Sequence, residues 1–353
     1  PGTEYSQMIF TSFSFLIFFA IYFILYEVIP SWRWKVWMVI VASLVFYGWT
    51  NPTHTLILLA IVAINYLGSR LLERWPADTA RGPWTLGVPL LLNIFILCFY
   101  KYTGFLLESV SDLLSLGGWN VPMPKLDIPL PAGISFFVFQ GMSYTIDVYR
   151  QTFSARVSPQ PFAASICYFP HLVAGPIVRA SHLIPQFEDS RTATAAQVRQ
   201  GGVLIMAGLA KKAMADLIAP YAATFFSTRV ALPWWAAWAG GLTFTAQMYG
   251  DFAGYSDVAI GLALLFGFNL PINFDLPFIS KSPSEIWQRW HISLTTWIRD
   301  YVFFSLDKRR FYRNMIITWL IIGIWHGSNW KFVIFGLYNG LVLMVEQIFR
   351  RRS

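Results

Sequence analysis

The sequence predicts an all-α membrane protein that crosses the bilayer many times. Of its 353 residues, 56% are hydrophobic and only 12% are charged, whereas soluble domains carry about 25% charged residues. Nearly continuous apolar runs, such as residues 15–24 and 88–99, are typical of spanning helices. These runs do not alternate apolar with polar residues, which disfavours an outer-membrane barrel. We therefore expect a polytopic helical protein.

Apolar segments follow one another along the whole chain, at residues 9–29, 36–49, 55–69, 86–107, 130–149, 203–226, 234–250, 258–270, 286–306, 315–327 and 332–349. The two shortest, 258–270 and 315–327, fall well short of the roughly 20 residues that a spanning helix needs. Residues 165–178 are also short and contain Pro170 and Pro176, so we expect this stretch to enter the membrane and return. Non-helical backbone at membrane depth is tolerated only where it is surrounded by protein or lines a water-filled cavity. The pattern therefore predicts a protein-lined interior.

Basic residues alternate between successive connections. Arg33 and Lys35 follow the first segment, residues 50–54 contain no Lys or Arg, and Arg70 and Arg81 follow the third segment. Because cytoplasmic connections carry the excess of Lys and Arg, we expect the N-terminus outside and the odd-numbered connections inside. The same rule explains the net charge of +8, so membrane lipid is expected as a partner and nucleic acid is not.

The ends of the chain and its cysteines support further expectations. Residues 1–6 are interpreted as an expression scar and residues 7–353 as one membrane domain. Cys98 and Cys167 lie in or beside apolar stretches, so a disulfide framework has no support. The sequence contains no motif with the spacing of metal ligands, and we expect no metal site.

The densest polar content lies between residues 250 and 327. Ser282, Pro283 and Glu285 form a capping box that predicts the start of a helix running from Ile286 to about Leu306. At helical spacing this helix carries a tryptophan-rich apolar face and two polar stripes, one containing His291 and Arg299 and the other containing Arg289. So much polarity suits a helix that lines a wet cavity better than one that faces lipid.

His291 and His326 are the candidates for acid–base chemistry. His326 ends the uncharged run 315–325. An ionisable residue at membrane depth is costly, so it is treated first as a candidate functional residue. A neutral imidazole can accept a proton from a hydroxyl near physiological pH. The competing interpretation of each is a hydrogen-bonded interior histidine. We interpret the remaining histidines, His54, His171 and His182, as loop or interface residues.

Three lysines also lie in apolar segments. Lys101 is expected to snorkel toward water. Lys211 and Lys212, with Asp216 nearby, predict either snorkelling or an internal ion pair.

Several stretches together resemble the membrane-bound O-acyltransferase family, specifically its bacterial alginate O-acetyltransferase branch. They are residues 130–150, 169–187, 251–257 (DFAGYSD), 273–301 and 324–336 (IWHGSNWKFVIFG). The pairing of R-W-H-x-S at 289–293 with W-H-G at 325–327 is much more specific than either motif alone.

The resemblance implies a fold and a site. The fold would be a ring of about 9–11 transmembrane helices plus re-entrant segments around a thin central tunnel. The near-invariant family histidine corresponds to His326, and a second conserved position falls on His291. Because members of the branch commonly continue past W-H-G, the resemblance also implies that the chain is truncated at its C-terminus.

The expected activity is that of an O-acyltransferase in the bacterial inner membrane. It would move acetyl groups from a cytoplasmic thioester, with acetyl-CoA as donor and no bound cofactor, to an exported alginate- or cellulose-like polysaccharide. The implied partners are a periplasmic serine-hydrolase-like acetyltransferase and the polysaccharide synthase machinery. We expect His326 and His291 to be catalytic, and we assign substrate-binding or funnel roles to Arg289, Trp325, Asp257 and Arg299.

Two other classes of function stay open from the sequence. Intramembrane Asp251, Asp257 and Asp275 with broken helices would also suit a transporter or channel for an ion or sugar, although no repeated halves are visible. A non-enzymatic assembly scaffold with structural histidines is the third hypothesis.

Overall fold

A computed structural model describes residues 8–119, 121, 124, 126, 128–227 and 232–350. Within these ranges the secondary structure is helical, without strands, which confirms the all-α prediction. The expression scar expected at residues 1–6 lies outside the described residues.

The α-helices are α1 (Phe13–Val28), α2 (Trp32–Gly48), α3 (Pro52–Arg74), α4 (Gly82–Leu116), α5 (Ile134–Tyr149), α6 (Pro159–Cys167), α7 (Phe169–Leu172), α8 (Ala180–Glu188), α9 (Ala195–Ser227), α10 (Trp234–Leu265), α11 (Pro283–Arg289), α12 (Ile292–Tyr301), α13 (Phe311–His326) and α14 (Trp330–Arg350). Short 3-10 turns cover Pro277–Ile279 and Phe303–Ser305. The expected break in residues 165–178 is confirmed, because α6 and α7 end there and residues 176–179 are not helical.

Three of the described helices, α3, α4 and α14, are long and apolar enough to cross a membrane by length and composition. Their outer faces remain uncovered by protein; Leu91, Phe95 and Ile334 are each about two-thirds exposed. Large exposed apolar surfaces of this kind mark contact with a membrane or partner. These features fit a multi-pass membrane protein.

The chain forms two compact units that are interleaved in sequence. Unit 1 comprises residues 1–55, 160–178 and 182–274, and unit 2 comprises residues 56–159, 179–181 and 275–353. The single domain expected over residues 7–353, and the ring around a tunnel, stay predictions.

Unit 1 is built on an aromatic core and a long helical hairpin. Phe15, Tyr22 and Phe169 are buried, and the Phe169 ring contacts those of both Phe15 and Tyr22. In the hairpin, α9 and α10 approach so closely that a Cβ on Gly208 would lie 2.6 Å from the Gly254 carbonyl oxygen. Small residues of this kind let helix backbones come together in a membrane.

The structure corrects the division of residues 234–270. One 32-residue helix, α10, contains all of segment 234–250 and segment 258–270 as far as Leu265, so segment 258–270 is not a separate short piece. The polar residues between them are neutralised from α9: Lys211 pairs with Asp257, and Lys212 pairs with Asp251 at 2.7 Å. Lys212 also pairs with Asp216 at 2.6 Å, which confirms the internal ion pair. Because partners on α9 compensate these charges, the helix continues through them.

Unit 2 contains two packed groups of helices. In the first, α3 and α4 are joined by a reciprocal hydrogen-bonded pair of buried amides, Asn65 and Asn93, at 3.0 and 3.1 Å. In the second, α13 and α14 approach at two glycines: a Cβ on Gly323 would lie 2.8 Å from the Gly336 Cα, and one on Gly336 would lie 2.4 Å from the Trp319 carbonyl oxygen. The close approach holds the end of α13 against the start of α14.

The continuous helix predicted from Ile286 to Leu306 is wrong. The capping is confirmed, because the Ser282 hydroxyl accepts from the Glu285 N–H at 3.2 Å. However, α11 ends at Arg289, Trp290 is extended, and His291 is left-handed, with φ 44° and ψ 51°. The Asp275 N–H bonds the Arg289 carbonyl oxygen at 2.9 Å, which satisfies the end of α11. The His291 ring packs against Phe136 and Trp325 where the helix is interrupted.

Candidate active site

His326 is the last residue of α13, where the following residue must be small. Gly327 is extended and its N–H bonds the Ile324 carbonyl oxygen at 3.2 Å. A Cβ at Gly327 would lie 2.1 Å from the Phe332 ring. The W-H-G sequence therefore ends α13 and lets α14 begin immediately beside the imidazole, whose ring meets Phe335 edge-on at 5.6 Å between centroids.

His291 lies at the break between α11 and α12. Its side chain is only 2% exposed. Histidine is one of the few non-glycine residues enriched in the left-handed region, although such a conformation is uncommon. The turn places the ring in a stacked contact with Phe136 of α5 at 6.3 Å and in an edge contact with Trp325 at 5.7 Å.

Trp325 brings the two histidines together. Its ring centroid is 5.1 Å from that of His326 and 5.7 Å from that of His291. The indole is 8% exposed, and its Nε1 has no hydrogen-bond partner among the described residues. An unsatisfied buried donor costs about 1–3 kcal/mol. The structure thus gathers three sequence-predicted site residues, His291, Trp325 and His326, into one cluster in unit 2.

Aromatic rings of α5 and α12 support this cluster. Phe136 and Phe139 contact the Trp325 ring at 5.8 and 5.9 Å. Phe139 also stacks on Trp297 at 4.0 Å, and the Trp297 indole N–H donates to the Phe139 carbonyl oxygen at 3.0 Å. The rings and this hydrogen bond fix α5 against α12 around the two histidines.

Arg289 and Arg299 are both engaged in ion pairs. Arg289 contacts Asp275 and Glu285, each at 3.0 Å, and so secures the C-terminal end of α11. A hydrogen bond from the Lys281 N–H lowers the pKa of Glu285, and Arg289 lowers it further. These contacts show Arg289 bracing the turn that presents His291.

A second charged group lies at the C-terminal end of α12. Arg299 pairs with Asp300 at 2.8 Å, and Arg179 binds the same carboxylate. Burial by itself would raise the pKa of Asp300, but hydrogen bonds from Arg299 and Arg179 hold it below its ordinary value. Tyr301 donates to the buried Asp147 at 2.8 Å. Arg299 is 54% exposed, so its guanidinium remains accessible to a solute.

Asp257 lies in unit 1, where it pairs with Lys211, whereas His291, Trp325 and His326 lie in unit 2. The three histidines interpreted as loop or interface residues contact other groups: His54 contacts Asn51, His171 the Ser165 carbonyl oxygen, and His182 the Asn269 carbonyl oxygen. No group of three or more metal-ligating side chains occurs within the described ranges.

Sequence reasoning missed two residues of α4 at this site. The Lys101 ammonium does not point to water but donates to the Trp325 carbonyl oxygen and, at 3.4 Å, to the Ser135 hydroxyl. The Tyr102 hydroxyl donates to the Ile324 carbonyl oxygen at 2.7 Å. The expectation of snorkelling is therefore wrong for Lys101. A lysine well inside an apolar run was the available signal, because charge at that depth usually has a partner.

Comparison with known proteins gives a consistent result. Residues 88–353 match the model of the MBOAT, membrane-bound O-acyltransferase, family. The chain is 40% identical to a probable alginate O-acetylase of Azotobacter vinelandii, over 97% of this chain and 69% of that protein.

Two further relatives extend the comparison. A probable alginate O-acetylase of Pseudomonas aeruginosa is 38% identical, over 96% of this chain and 66% of that protein. A peptidoglycan O-acetyltransferase of Helicobacter pylori is 32% identical, over 89% and 64%. The chain thus spans about two thirds of the length of these relatives.

Proposed function

The chain belongs to the membrane-bound O-acyltransferase family, and we propose that it transfers acetyl groups from a cytoplasmic thioester to O-acetylate an exported polysaccharide. The observation that carries this proposal is the contact of both His326 and His291 with the buried ring of Trp325. Two imidazoles in one cluster supply a base and a hydrogen-bonding partner for acyl transfer. An alginate- or cellulose-like polymer is the proposed acceptor, and the names of two relatives support the alginate-like polymer.

In the proposed reaction His326 is the general base. Its imidazole removes the proton of the acceptor hydroxyl as the oxygen attacks the thioester carbonyl carbon. The tetrahedral intermediate then expels the thiolate, the C–S bond breaks, and the imidazolium returns the proton to sulfur. The products are the acetyl ester and the free thiol. A positioned base contributes roughly 10² to 10⁴-fold to the rate.

His291 and Trp325 would act on the acyl group. His291 orients the thioester or donates to the developing oxyanion, and the Trp325 indole belongs to the wall of the substrate funnel. Oxyanion donors are typically worth about 10² to 10³-fold. Rigid placement is supported by the stacking of His291 on Phe136.

The arginines and Asp257 have subsidiary proposed roles. Arg299 is sufficiently exposed to balance the charge of a donor phosphate, whereas Arg289 holds the funnel through its pairs with Asp275 and Glu285. Asp257 and Lys211 maintain the polar part of the α9–α10 hairpin.

The proposal includes the protein's setting. Acetyl-CoA is the proposed donor, and the bacterial inner membrane is the proposed location. A periplasmic serine-hydrolase-like acetyltransferase and the polysaccharide synthase machinery are the proposed partners. A transporter or channel is not favoured, because the relatives described above are named O-acetylases or O-acetyltransferases. The pairing of Asp257 with Lys211 and of Asp275 with Arg289 also gives these carboxylates a structural use.

The experiment replaces His326 by alanine in cells that lack their own copy of the gene. We expect ester-linked acetate on the exported polymer to fall by about 10² to 10⁴-fold, because the general base is lost. His54→Ala is the matched control, since His54 contacts Asn51 in the first turn of α3, and it should retain acetylation. Normal acetylation by His326→Ala at the normal protein level would refute the proposed role.

A further inference from the structure

Two consecutive side chains of α4 bind two consecutive carbonyl groups at the end of α13. Tyr102 donates to Ile324 O at 2.7 Å, and the Lys101 ammonium donates to Trp325 O. The last four carbonyls of an α-helix have no partner within the helix. Lys101 therefore supplies, from another helix, a partner for the Trp325 carbonyl, which directly precedes His326. Tyr102 adds a second partner to the Ile324 carbonyl, which also accepts from the Gly327 N–H.

The Lys101 ammonium connects three helices. Besides Trp325 O on α13 it lies 3.4 Å from the Ser135 hydroxyl on α5, and it is 5.2 Å from the centroid of the Trp325 ring. A positive charge is favoured at a helix C-terminus by the helix dipole. A cation over an indole ring is favoured as well. These contacts offset part of the cost of an ammonium group placed within an apolar helix.

We propose that Lys101 is a positioning residue for His326: its ammonium anchors the Trp325 carbonyl and so holds the end of α13, with its imidazole, in the reactive arrangement. The inference rests on the proposed function, because it assigns Lys101 an effect only through His326. Gly327 leaves α13 in an extended conformation immediately afterwards. The backbone at His326 is therefore held by α4 on one side and by the packing of Gly327 on Phe332 on the other.

The Lys101 ammonium contacts a carbonyl, a hydroxyl and the rings of Trp325 and Tyr102. A positioning role is distinct from direct contact of the ammonium with the acyl group. The two roles differ in how they combine with loss of His326. A positioning effect disappears once the imidazole is gone, whereas an independent contact with substrate would not.

The test measures acetyl transfer from radiolabelled acetyl-CoA to polymer in inverted membrane vesicles. We expect Lys101→Met to lower kcat by about 10 to 100-fold with little change in KM, because a small displacement of a reacting group costs about that much. Lys101→Arg, which keeps the charge and donors, should recover part of the rate. Thr103→Ala is the matched control on α4, since its hydroxyl bonds only the Phe99 carbonyl oxygen of its own helix among the contacts described.

A double-mutant cycle decides between the roles. We expect His326→Ala with Lys101→Met to be no slower than His326→Ala alone. If the double variant is slower than His326→Ala by the factor that Lys101→Met alone costs, the positioning role is overturned. A wild-type kcat in Lys101→Met would overturn it as well. If Lys101→Met does not accumulate, Lys101→Gln and Tyr102→Phe replace it, the latter removing only the hydroxyl at Ile324 O.

Failure of the proposed function gives a different result. A fully active His326→Ala protein would refute the general-base role of His326, whatever the effect of the Lys101 variants. If the wild-type protein does not use acetyl-CoA, the donor is wrong; the same cycle is then measured through ester-linked acetate on polymer from intact cells.

Discussion

Gly327 shows how one missing side chain shapes the site. Its φ of −176° is open to any residue, so the requirement for glycine is one of space and not of backbone conformation. The Phe332 ring occupies the volume that a Cβ would need. The sequence signature W-H-G thus reflects the contact between the end of α13 and the start of α14, in addition to the proposed catalytic role of its histidine.

A prediction at this scale is that Gly327→Ala displaces Phe332 and lowers stability by about 1–3 kcal/mol, the usual cost of overpacking. The melting temperature in detergent measures it, and acetylation should fall too because His326 is adjacent. Gly104→Ala on α4 is the control, since no described atom lies within 4 Å of its would-be Cβ. Equal melting temperatures for the two variants would contradict the close contact.

The sequence around His291 does not predict the break in the helix at that residue. The stretch 286–301 has helical periodicity throughout and contains neither glycine nor proline. Nothing local indicates a left-handed residue in the middle. Stacking on Phe136, which is distant in sequence, accompanies the break.

At the scale of elements, the α9–α10 hairpin combines close backbone packing with ion pairs. Gly208 faces Gly254, and a Cβ on Gly201 would lie 2.8 Å from the Gly261 carbonyl oxygen. This close approach leaves Lys211 within reach of Asp257. The glycine contacts and the ion pairs therefore require the same register between α9 and α10.

We predict that Lys211→Met destabilises the protein by about 1–3 kcal/mol. Breaking a fully buried ion pair usually costs about 3–5 kcal/mol, and we expect a smaller loss because the Lys211 side chain is partly exposed. The loss arises because Asp257 keeps its charge without its partner. Replacing both residues, Lys211→Met with Asp257→Leu, should recover much of the loss. Thermal unfolding of the two variants gives the comparison, and a double variant less stable than the single one would argue against the pair.

At the scale of the whole molecule, the distribution of charge predicts which connections face the cytoplasm. Helix α4 has 35 residues, which corresponds to about 52 Å at 1.5 Å per residue. A hydrocarbon core is about 30 Å thick. The two ends of α4 should therefore reach opposite sides, with residues 75–81 inside and residues 108–119 outside.

Cysteines introduced one at a time at Asp78 and Asp112, both exposed, test this topology in a Cys98→Ser background that keeps the buried Cys167. A membrane-impermeant maleimide added to intact spheroplasts should label Asp112→Cys, and it should label Asp78→Cys only after permeabilisation. The opposite pattern would reverse the orientation that the positive-inside rule predicts.

The sequence by itself determined the class of fold, most segment positions and the family. Hydrophobic content and long apolar runs suffice for this because a bilayer leaves the backbone few alternatives to helices. The motifs around His291 and His326 also identified the candidate catalytic residues, and the structure places both beside Trp325.

Only the tertiary structure decided where helices continue and where they break. Asp251 and Asp257 looked like an interruption, but Lys212 and Lys211 on α9 compensate them, and α10 runs through. His291 interrupts a helix that local propensity would continue. Lys101 was expected to reach for water, and it binds the end of α13 instead. In each case the deciding contact joins residues far apart in sequence, and local propensity carries no information about such partners.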